Sequence, residues 1–120
     1  MQHKIRHIAI RADDQQKVID FYKTTFGMTE VTHTEGGRAK YLTDGYITLA
    51  ILPGKPGMTN GIDHFGFQVD DMQKVGQAAA AAGGSAKLET RPRDGRFAET
   101  RVTDPVGSQI DLTEKGWATT

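Results

Sequence analysis

The sequence predicts an α+β domain made of two tandem βαβββ modules. Two observations predict it: a sequence repeat, and a hydrophobic pattern that switches between strand and helix periods in the same order in both halves. The length of 120 residues fits one domain. We therefore expect a single domain over residues 1–120, with one module in each half.

The repeat is visible in residue identities. The segment that begins at Ile5 returns 57 positions later at Ile62. The same spacing relates further pairs: Asp13-Asp14 with Asp70-Asp71, Gln16-Lys17-Val18 with Gln73-Lys74-Val75, and Gly27 with Gly84. The spacing then increases, as a longer hairpin loop in the second half requires. It is 60 between Thr43-Asp44 and Thr103-Asp104, and 63 between Ile47-Thr48-Leu49 and Ile110-Asp111-Leu112. These matches place the modules at about 4–52 and about 61–114, joined by a linker over 53–60.

The first module begins with residues 4–11, which alternate in the strand period. Asp13 or Asp14 caps a helix that ends at Gly27. The apolar side of this helix is formed by Ile19, Phe21, Tyr22 and Phe26. Three strands follow near 28–34, 38–43 and 46–52, with turns at Glu35-Gly36-Gly37 and Asp44-Gly45.

The second module repeats this order of elements. A strand over 62–69 precedes a helix that begins after Asp71, contains the alanine run 78–82 and ends at Gly83-Gly84. Three strands follow near 85–91, 96–103 and 108–114, with turns at Asp94-Gly95 and Pro105-Val106-Gly107.

Composition excludes several classes of function. Fifteen Lys and Arg balance fifteen Asp and Glu, so the chain lacks the positive field that nucleic-acid or membrane-surface binding needs. Neither an apolar run of about 18 residues nor a signal-peptide core is found. Without cysteine there is no disulfide, thiolate nucleophile or cysteine-bound zinc. We expect a cytoplasmic protein that binds neither nucleic acid nor membrane.

The alternation of side chains separates an apolar from a polar face in the strands. Ile8 and Ile10 share one face and the strand repeats show the same pattern, so we expect the apolar faces to pack beneath the two helices. The opposite faces collect four polar residues at equivalent points of the repeat: His7 with its mate His64, and Thr48 with its mate Asp111. Two histidines and a carboxylate suit a divalent metal with open coordination positions. The alternative is a polar, solvent-facing sheet surface.

Several motifs together resemble the vicinal oxygen chelate superfamily, which includes glyoxalases, fosfomycin-resistance proteins, bleomycin-resistance proteins and extradiol dioxygenases. They cover essentially the whole chain: His7-Ile8-Ala9-Ile10, Phe21-Tyr22, Phe26-Gly27-Met28, His64-Phe65-Gly66-Phe67-Gln68-Val69, and the closing run from Asp104 to Leu112. The resemblance implies two βαβββ modules forming a U-shaped half-barrel metal cleft, with the helices on its outer face. It also implies one divalent metal (Fe, Mn, Ni, Co or Zn) on His7, His64 and Asp111.

Two positions depart from the superfamily pattern. Asp111 stands where the family usually has glutamate, which shortens the ligand arm by one methylene. Thr48 stands where glyoxalase-like members have Glu or Gln, and a neutral hydroxyl is a poor ligand. The resemblance therefore implies a three-ligand site, as in the fosfomycin-resistance and dioxygenase branches.

Other residues are predicted to contact substrate. Glu99 and Arg101 share the face opposite Val102, where they would act as general base and anion anchor; the alternative is an exposed pair. Gln68 and Thr48 share the faces of the predicted ligands and would bind substrate. His3 and His33 are expected at the surface and Trp117 in packing contacts. Arg91, Arg93 and Arg96 form a charged hairpin that could reach an anionic substrate.

Three functions follow in order of preference. The first is a metal-dependent enzyme whose small-molecule substrate chelates the metal through adjacent oxygens, either by lyase, isomerase or transferase chemistry or by Fe(II)-dependent oxygenation. The second is a metal-free protein that sequesters a drug or metabolite, of the bleomycin-resistance type. The third is a structural or regulatory domain. The resemblance also implies a homodimer, and the sequence leaves open whether the two modules pair within a chain or across the two chains.

Overall fold

The computed structural model describes residues 3–32, 37–93 and 97–120, except for the side chains of 88–93 and 97–99. These ranges form an α+β fold with eight strands, paired both parallel and antiparallel, and two helices in the order βαβββ–βαβββ. The first module contains β1 (Lys4–Ala12), α1 (Gln15–Phe26), β2 (Thr29–Glu30), β3 (Lys40–Thr43) and β4 (Thr48–Pro53). The second contains β5 (Gly61–Gln68), α2 (Met72–Ala81), β6 (Ser85–Arg93), β7 (Phe97–Thr103) and β8 (Gln109–Thr113).

The predicted order of elements is confirmed, and several boundaries differ from the prediction, most of them by one or two residues. β2 is much shorter than the predicted strand over 28–34, and α2 ends at Ala81 with Ala82 as its C-cap, before the predicted glycines. The predicted turns at Glu35-Gly36 and Asp94-Gly95 lie outside the described residues, as do His33 and Arg96. No helix in the described ranges is long and apolar enough to cross a membrane.

The two helices begin with the same capping contact. The side chain of Asp14 accepts a hydrogen bond of 3.1 Å from the backbone N–H of Lys17, and Asp71 accepts one of 3.1 Å from that of Lys74. Asp14, rather than Asp13, is therefore the N-cap of α1. At the other end of α1, Gly27 adopts a left-handed conformation with φ 70°, which a residue without Cβ adopts at no steric cost.

Two equivalent hairpin turns are closed by aspartates. Asp44 accepts hydrogen bonds from the backbone N–H groups of Tyr46 and Ile47, and Asp104 accepts them from those of Val106 and Ser108. These donors lower the pKa of Asp44 (Tyr46 first) and that of Asp104 (Ser108 first). The repeat detected in the sequence thus reappears as repeated local chemistry.

The chain divides into two compact units, each with its own core. The first unit contains residues 7–63 and 117–120, and its strands lie in the order β2-β3-β4-β1. β4 pairs parallel with β1 and antiparallel with β3. Its core joins α1 to the apolar faces of the strands through Ala12, Ile19, Leu42, Leu49 and Ile51, with Ile8 and Ile10 packed against them.

The second unit contains residues 3–6 and 64–116, with strands in the order β5-β8-β7-β6. β8 pairs parallel with β5 and antiparallel with β7. Val69, Val102 and Leu112 form its buried core, and Met72 and Val75 of α2 pack against it. In both units the apolar strand faces pack beneath a helix, as the alternation predicted.

The strand registers correct one predicted equivalence. β1 and β4 align Ala9 with Ala50, whereas β5 and β8 align Gly66, the counterpart of Ala9, with Asp111. Asp111 is therefore the counterpart of Ala50 and not of Thr48, and the prediction was wrong by two residues. The antiparallel registers agree, since they align Tyr41 with Ala50 and Arg101 with Asp111. The cause is that Thr43 pairs with Thr48 but Thr103 pairs with Gln109, so the second turn is longer by one residue rather than three.

Candidate metal centre

The second unit buries a histidine–carboxylate pair. His64 on β5 and Asp111 on β8 lie on neighbouring parallel strands, and the distance between His64 Nε2 and Asp111 Oδ2 is 3.1 Å. Their side chains are 9% and 3% exposed. Removing a carboxylate from water is costly unless the charge is paired, and His64 provides one such partner.

Arg101 on β7 provides the other partner of this carboxylate. Its Nε–H donates to Asp111 Oδ1 at 2.8 Å, and its Nη1–H donates to Gln109 Oε1 at 2.6 Å. Each oxygen of Asp111 therefore contacts a different neighbour. Burial alone would raise the pKa of Asp111, but the hydrogen bonds and charges of His64 and Arg101 together hold the pKa of this carboxyl well below its usual range.

The first unit buries the other predicted histidine. His7 is 5% exposed and is aligned with Thr48, itself 2% exposed, on the neighbouring strand. The indole of Trp117 stacks on the His7 ring, with 4.6 Å between ring centroids and 11° between ring planes. The hydroxyl of Thr48 donates a 2.5 Å hydrogen bond to the carbonyl oxygen of Ala118.

The predicted ligands have the chemistry of a metal-binding group. The buried side chains of His7, His64 and Asp111 each offer one atom that can bind a metal ion, an imidazole nitrogen or a carboxylate oxygen. Two imidazoles and one carboxylate fit zinc, iron, nickel and related transition metals better than magnesium or calcium, which prefer oxygen ligands alone. The alternative of a solvent-facing polar surface does not describe these residues, because all of them are buried.

The structure describes the contacts of some, but not all, of the residues predicted to bind substrate. The Gln68 amide accepts a 2.8 Å hydrogen bond from Arg6 and donates one of 3.4 Å to the Glu114 carbonyl. The side chain of Glu99 lies outside the described part of the chain, as do those of Arg91 and Arg93. Their predicted roles stay predictions, as do those of Thr48 and Arg101 toward substrate.

Sequence reasoning missed two contacts of this centre. It placed Arg101 with Glu99 on one strand face, as anion anchor and general base, but the contact that the structure shows for Arg101 is with Asp111. It predicted that Trp117 packs, without naming His7 as the contact. Parity could have suggested the first contact once the β7–β8 register was known. No sequence signal indicates the second.

The comparisons with known proteins agree with this architecture. The profile of the Glyoxalase/Bleomycin resistance protein/Dioxygenase superfamily matches residues 4–112. The chain belongs to this superfamily. A curated relative, a probable chloroplastic lactoylglutathione lyase from Arabidopsis thaliana, is 25% identical over 128 aligned positions. That alignment covers 96% of this chain but only 37% of the relative, so the chain spans well under half of the relative's length.

Solved structures of other proteins share the fold. A hypothetical protein from Bacillus halodurans is 16% identical, with a TM-score of 0.75 and coverage of 100% of this chain and 99% of that one. Methylmalonyl-CoA epimerase from Mycobacterium tuberculosis is 18% identical, with a TM-score of 0.71 and coverage of 91% and 85%. At these identities the likeness shows the fold alone, so the reaction has to be argued from the residues of this chain.

Proposed function

We propose that this chain is a metal-dependent enzyme in which His7, His64 and Asp111 hold one divalent transition-metal ion. The substrate is a small molecule that chelates the ion through adjacent oxygens. One observation carries the proposal: a superfamily member buries two imidazoles and a carboxylate, which are the donor types of a transition-metal site. Buried charged groups are retained where they are paired or bind metals, and this set matches a known transition-metal donor set.

The residues around the proposed ion have different roles. When bound, the metal supplies a Lewis acid that stabilises negative charge developing on the substrate oxygens. Arg101 holds one oxygen of Asp111 by its 2.8 Å hydrogen bond, which fixes the carboxylate and leaves the other oxygen facing His64. Thr48 directs its hydroxyl proton to the carbonyl oxygen of Ala118, so it adds no negative charge beside the proposed ligands.

The reaction class within this proposal depends on the metal. Iron with dioxygen consumption would indicate an Fe(II)-dependent oxygenase. Activity with Mn, Ni, Co or Zn in the absence of oxygen would indicate a lyase, isomerase or transferase. The names of the lyase and epimerase relatives support testing the second group first. A homodimer and a cytoplasmic location complete the proposal.

The deciding experiment measures metal content in protein purified without an affinity tag. Wild type is compared with His7→Ala and His64→Ala, and His3→Ala serves as the matched control because His3 is an exposed histidine. We expect about one divalent ion per chain in wild type and in His3→Ala, and none in the two ligand variants. Plasma mass spectrometry gives both the amount and the identity of the ion.

The opposite outcome is equally informative. A wild-type protein that binds no metal, even after incubation with excess Mn, Fe, Ni or Zn, removes the proposed function. Retention of the metal in both ligand variants removes the assigned site. In the first case a metal-free ligand-binding protein replaces the enzyme, and tight binding of a small molecule without turnover would establish it.

A further inference from the structure

The segment Trp117–Thr120, which we call the covering segment, contacts β1 and β4 of its own unit at two neighbouring points. Trp117 is the single tryptophan of the chain, and its indole lies nearly parallel to the His7 ring. The next residue, Ala118, accepts the hydrogen bond from the Thr48 hydroxyl. His7 on β1 and Thr48 on β4 are register partners, so consecutive residues of the segment contact two strands that are neighbours in the sheet.

The stacking restricts how the His7 ring can move. A parallel ring at 4.6 Å covers one face of the imidazole, so rotation about the Cβ–Cγ bond would lose the stacked contact. Free histidine side chains have a broad, roughly two-fold torsion at this bond. A ligand that is already held in one orientation loses less conformational freedom when it binds an ion.

The Thr48 hydrogen bond holds the covering segment in place. Thr48 is 2% exposed, so its hydroxyl has to find an acceptor within the protein, and the Ala118 carbonyl provides one. Leaving a buried hydroxyl without this acceptor is unfavourable. The same contact keeps Trp117, one residue earlier, against His7. The hydrogen bond and the ring stack therefore together hold the covering segment against His7 and Thr48.

We propose that Trp117 is a positioning residue for His7, and that the Thr48–Ala118 hydrogen bond keeps it in that role. The inference rests on the proposed function, since it takes His7 to be a metal ligand. It goes further in assigning a metal-affinity role to an aromatic residue that offers no ligand atom. Trp117 acts through His7 and does not touch the ion.

The test compares metal affinity across three variants of the full chain. Trp117→Phe keeps an aromatic ring, Trp117→Leu keeps apolar cover without a ring, and Thr48→Val removes the anchor while keeping the shape. We expect Trp117→Leu to weaken Co²⁺ or Zn²⁺ binding by roughly two- to ten-fold, the range that corresponds to one aromatic pair. Trp117→Phe should recover most of this loss, and Thr48→Val should show part of it. Competition with a chromophoric chelator gives the dissociation constants.

A purely structural role gives a different pattern. In that case Trp117→Leu lowers the unfolding midpoint of the metal-free protein but binds metal with the wild-type constant, and this result overturns the inference. An equal loss of metal affinity in Trp117→Phe and Trp117→Leu also overturns it, because an aromatic ring would then contribute nothing to metal binding. If Trp117→Leu does not fold, the metal affinity of Thr48→Val still tests the inference.

A second measurement in the metal-free protein separates this inference from the proposed function. The ring current of a stacked indole shifts the His7 ring protons, so Trp117→Leu should move the His7 resonances and leave those of exposed His3 in place. Unmoved His7 resonances overturn the inference, whatever the metal content. Wild type that binds no metal, with His7 resonances that do move, places the failure in the proposed function and withdraws the role in metal affinity with it.

Discussion

The guanidinium of Arg101 holds the buried carboxylate of Asp111 from the neighbouring antiparallel strand. The two residues are register partners in β7 and β8, and the Nε–Oδ1 distance is 2.8 Å. Asp111 is only 2% exposed, whereas the side chain of Arg101 is 30% exposed. An Arg–carboxylate hydrogen bond in such a place is stronger than a surface pair, because water competes for only one of its partners.

Loss of Arg101 is therefore expected to destabilise the metal-free protein. Arg101→Met keeps the length of the side chain but leaves Asp111 without its guanidinium, which should lower the free energy of unfolding by about 2 kcal/mol. Arg38→Met, at an exposed arginine, is the control and should change it by less than about 0.5 kcal/mol. Denaturant unfolding of metal-free protein measures both, and equal effects would contradict the assigned contact.

The same variant tests whether Asp111 binds a divalent cation. A divalent ion would supply the positive charge that Arg101→Met removes, so added Zn²⁺ should raise the melting temperature of this variant by more than that of wild type. A rise in the variant no larger than in wild type would contradict this expectation, because the ion would then not replace the charge of Arg101 beside Asp111.

The lowered pKa of Asp111 predicts how stability depends on pH. A carboxyl group whose pKa is lower in the folded than in the unfolded protein adds stability above its unfolded pKa of about 4. That contribution is lost as the pH falls through the lower, folded pKa. Asp111→Asn lacks it, so its free energy of unfolding should fall less than that of wild type as the pH decreases from about 5.

This pH dependence is measured by unfolding both proteins in urea at several pH values without metal. Asp44 and Asp104, whose pKa values are also lowered, lose their contributions in the same direction in both proteins. Their effect therefore cancels in the difference. Parallel curves for wild type and Asp111→Asn would show that the carboxylate gains nothing from His64 and Arg101.

The two helix caps predict equal losses of stability. Asp14→Ala and Asp71→Ala each remove one hydrogen bond of 3.1 Å to a backbone N–H in the first turn, so each should lower the free energy of unfolding by about 1 kcal/mol. Asp70→Ala is the matched control, because Asp70 is an exposed aspartate next to the cap. A loss in Asp70→Ala as large as in Asp71→Ala would contradict the capping role.

The sequence predicted the order of elements, the helix start after Asp71, and His7 and His64 on the strand face opposite the helices, because each follows from local chemistry or from the 57-residue repeat. It left open whether Asp13 or Asp14 caps α1, which the structure assigns to Asp14. It also put Asp111 on the correct strand face, although the expected equivalence with Thr48 was wrong by two residues. Side chains alternate with a period of two along a strand, so a displacement of two positions changes the neighbours of a residue and preserves its face.

Partners that depend on register or on distant sequence were not predictable. Arg101 was placed on the right face, but only the β7–β8 register shows that it reaches Asp111. The stack of Trp117 on His7 joins residues with no common periodic pattern. Both contacts arise from how the strands and the covering segment pack. The sequence gives only the strand face of Arg101, and it carries no signal for the stack of Trp117 on His7.

Metal removal should lower the stability of the protein by an amount set by its affinity. An ion that binds only the folded chain stabilises it by about 2.7 kcal/mol when its free concentration is 100 times the dissociation constant, which corresponds to roughly 10 °C in melting temperature for a domain of this size. Chelation by EDTA should therefore lower the melting temperature of wild type and His3→Ala by this amount. The melting temperatures of His7→Ala and His64→Ala should not respond, because these variants lack a ligand. A response to EDTA in His64→Ala as large as in wild type would place the stabilising ion elsewhere in the protein.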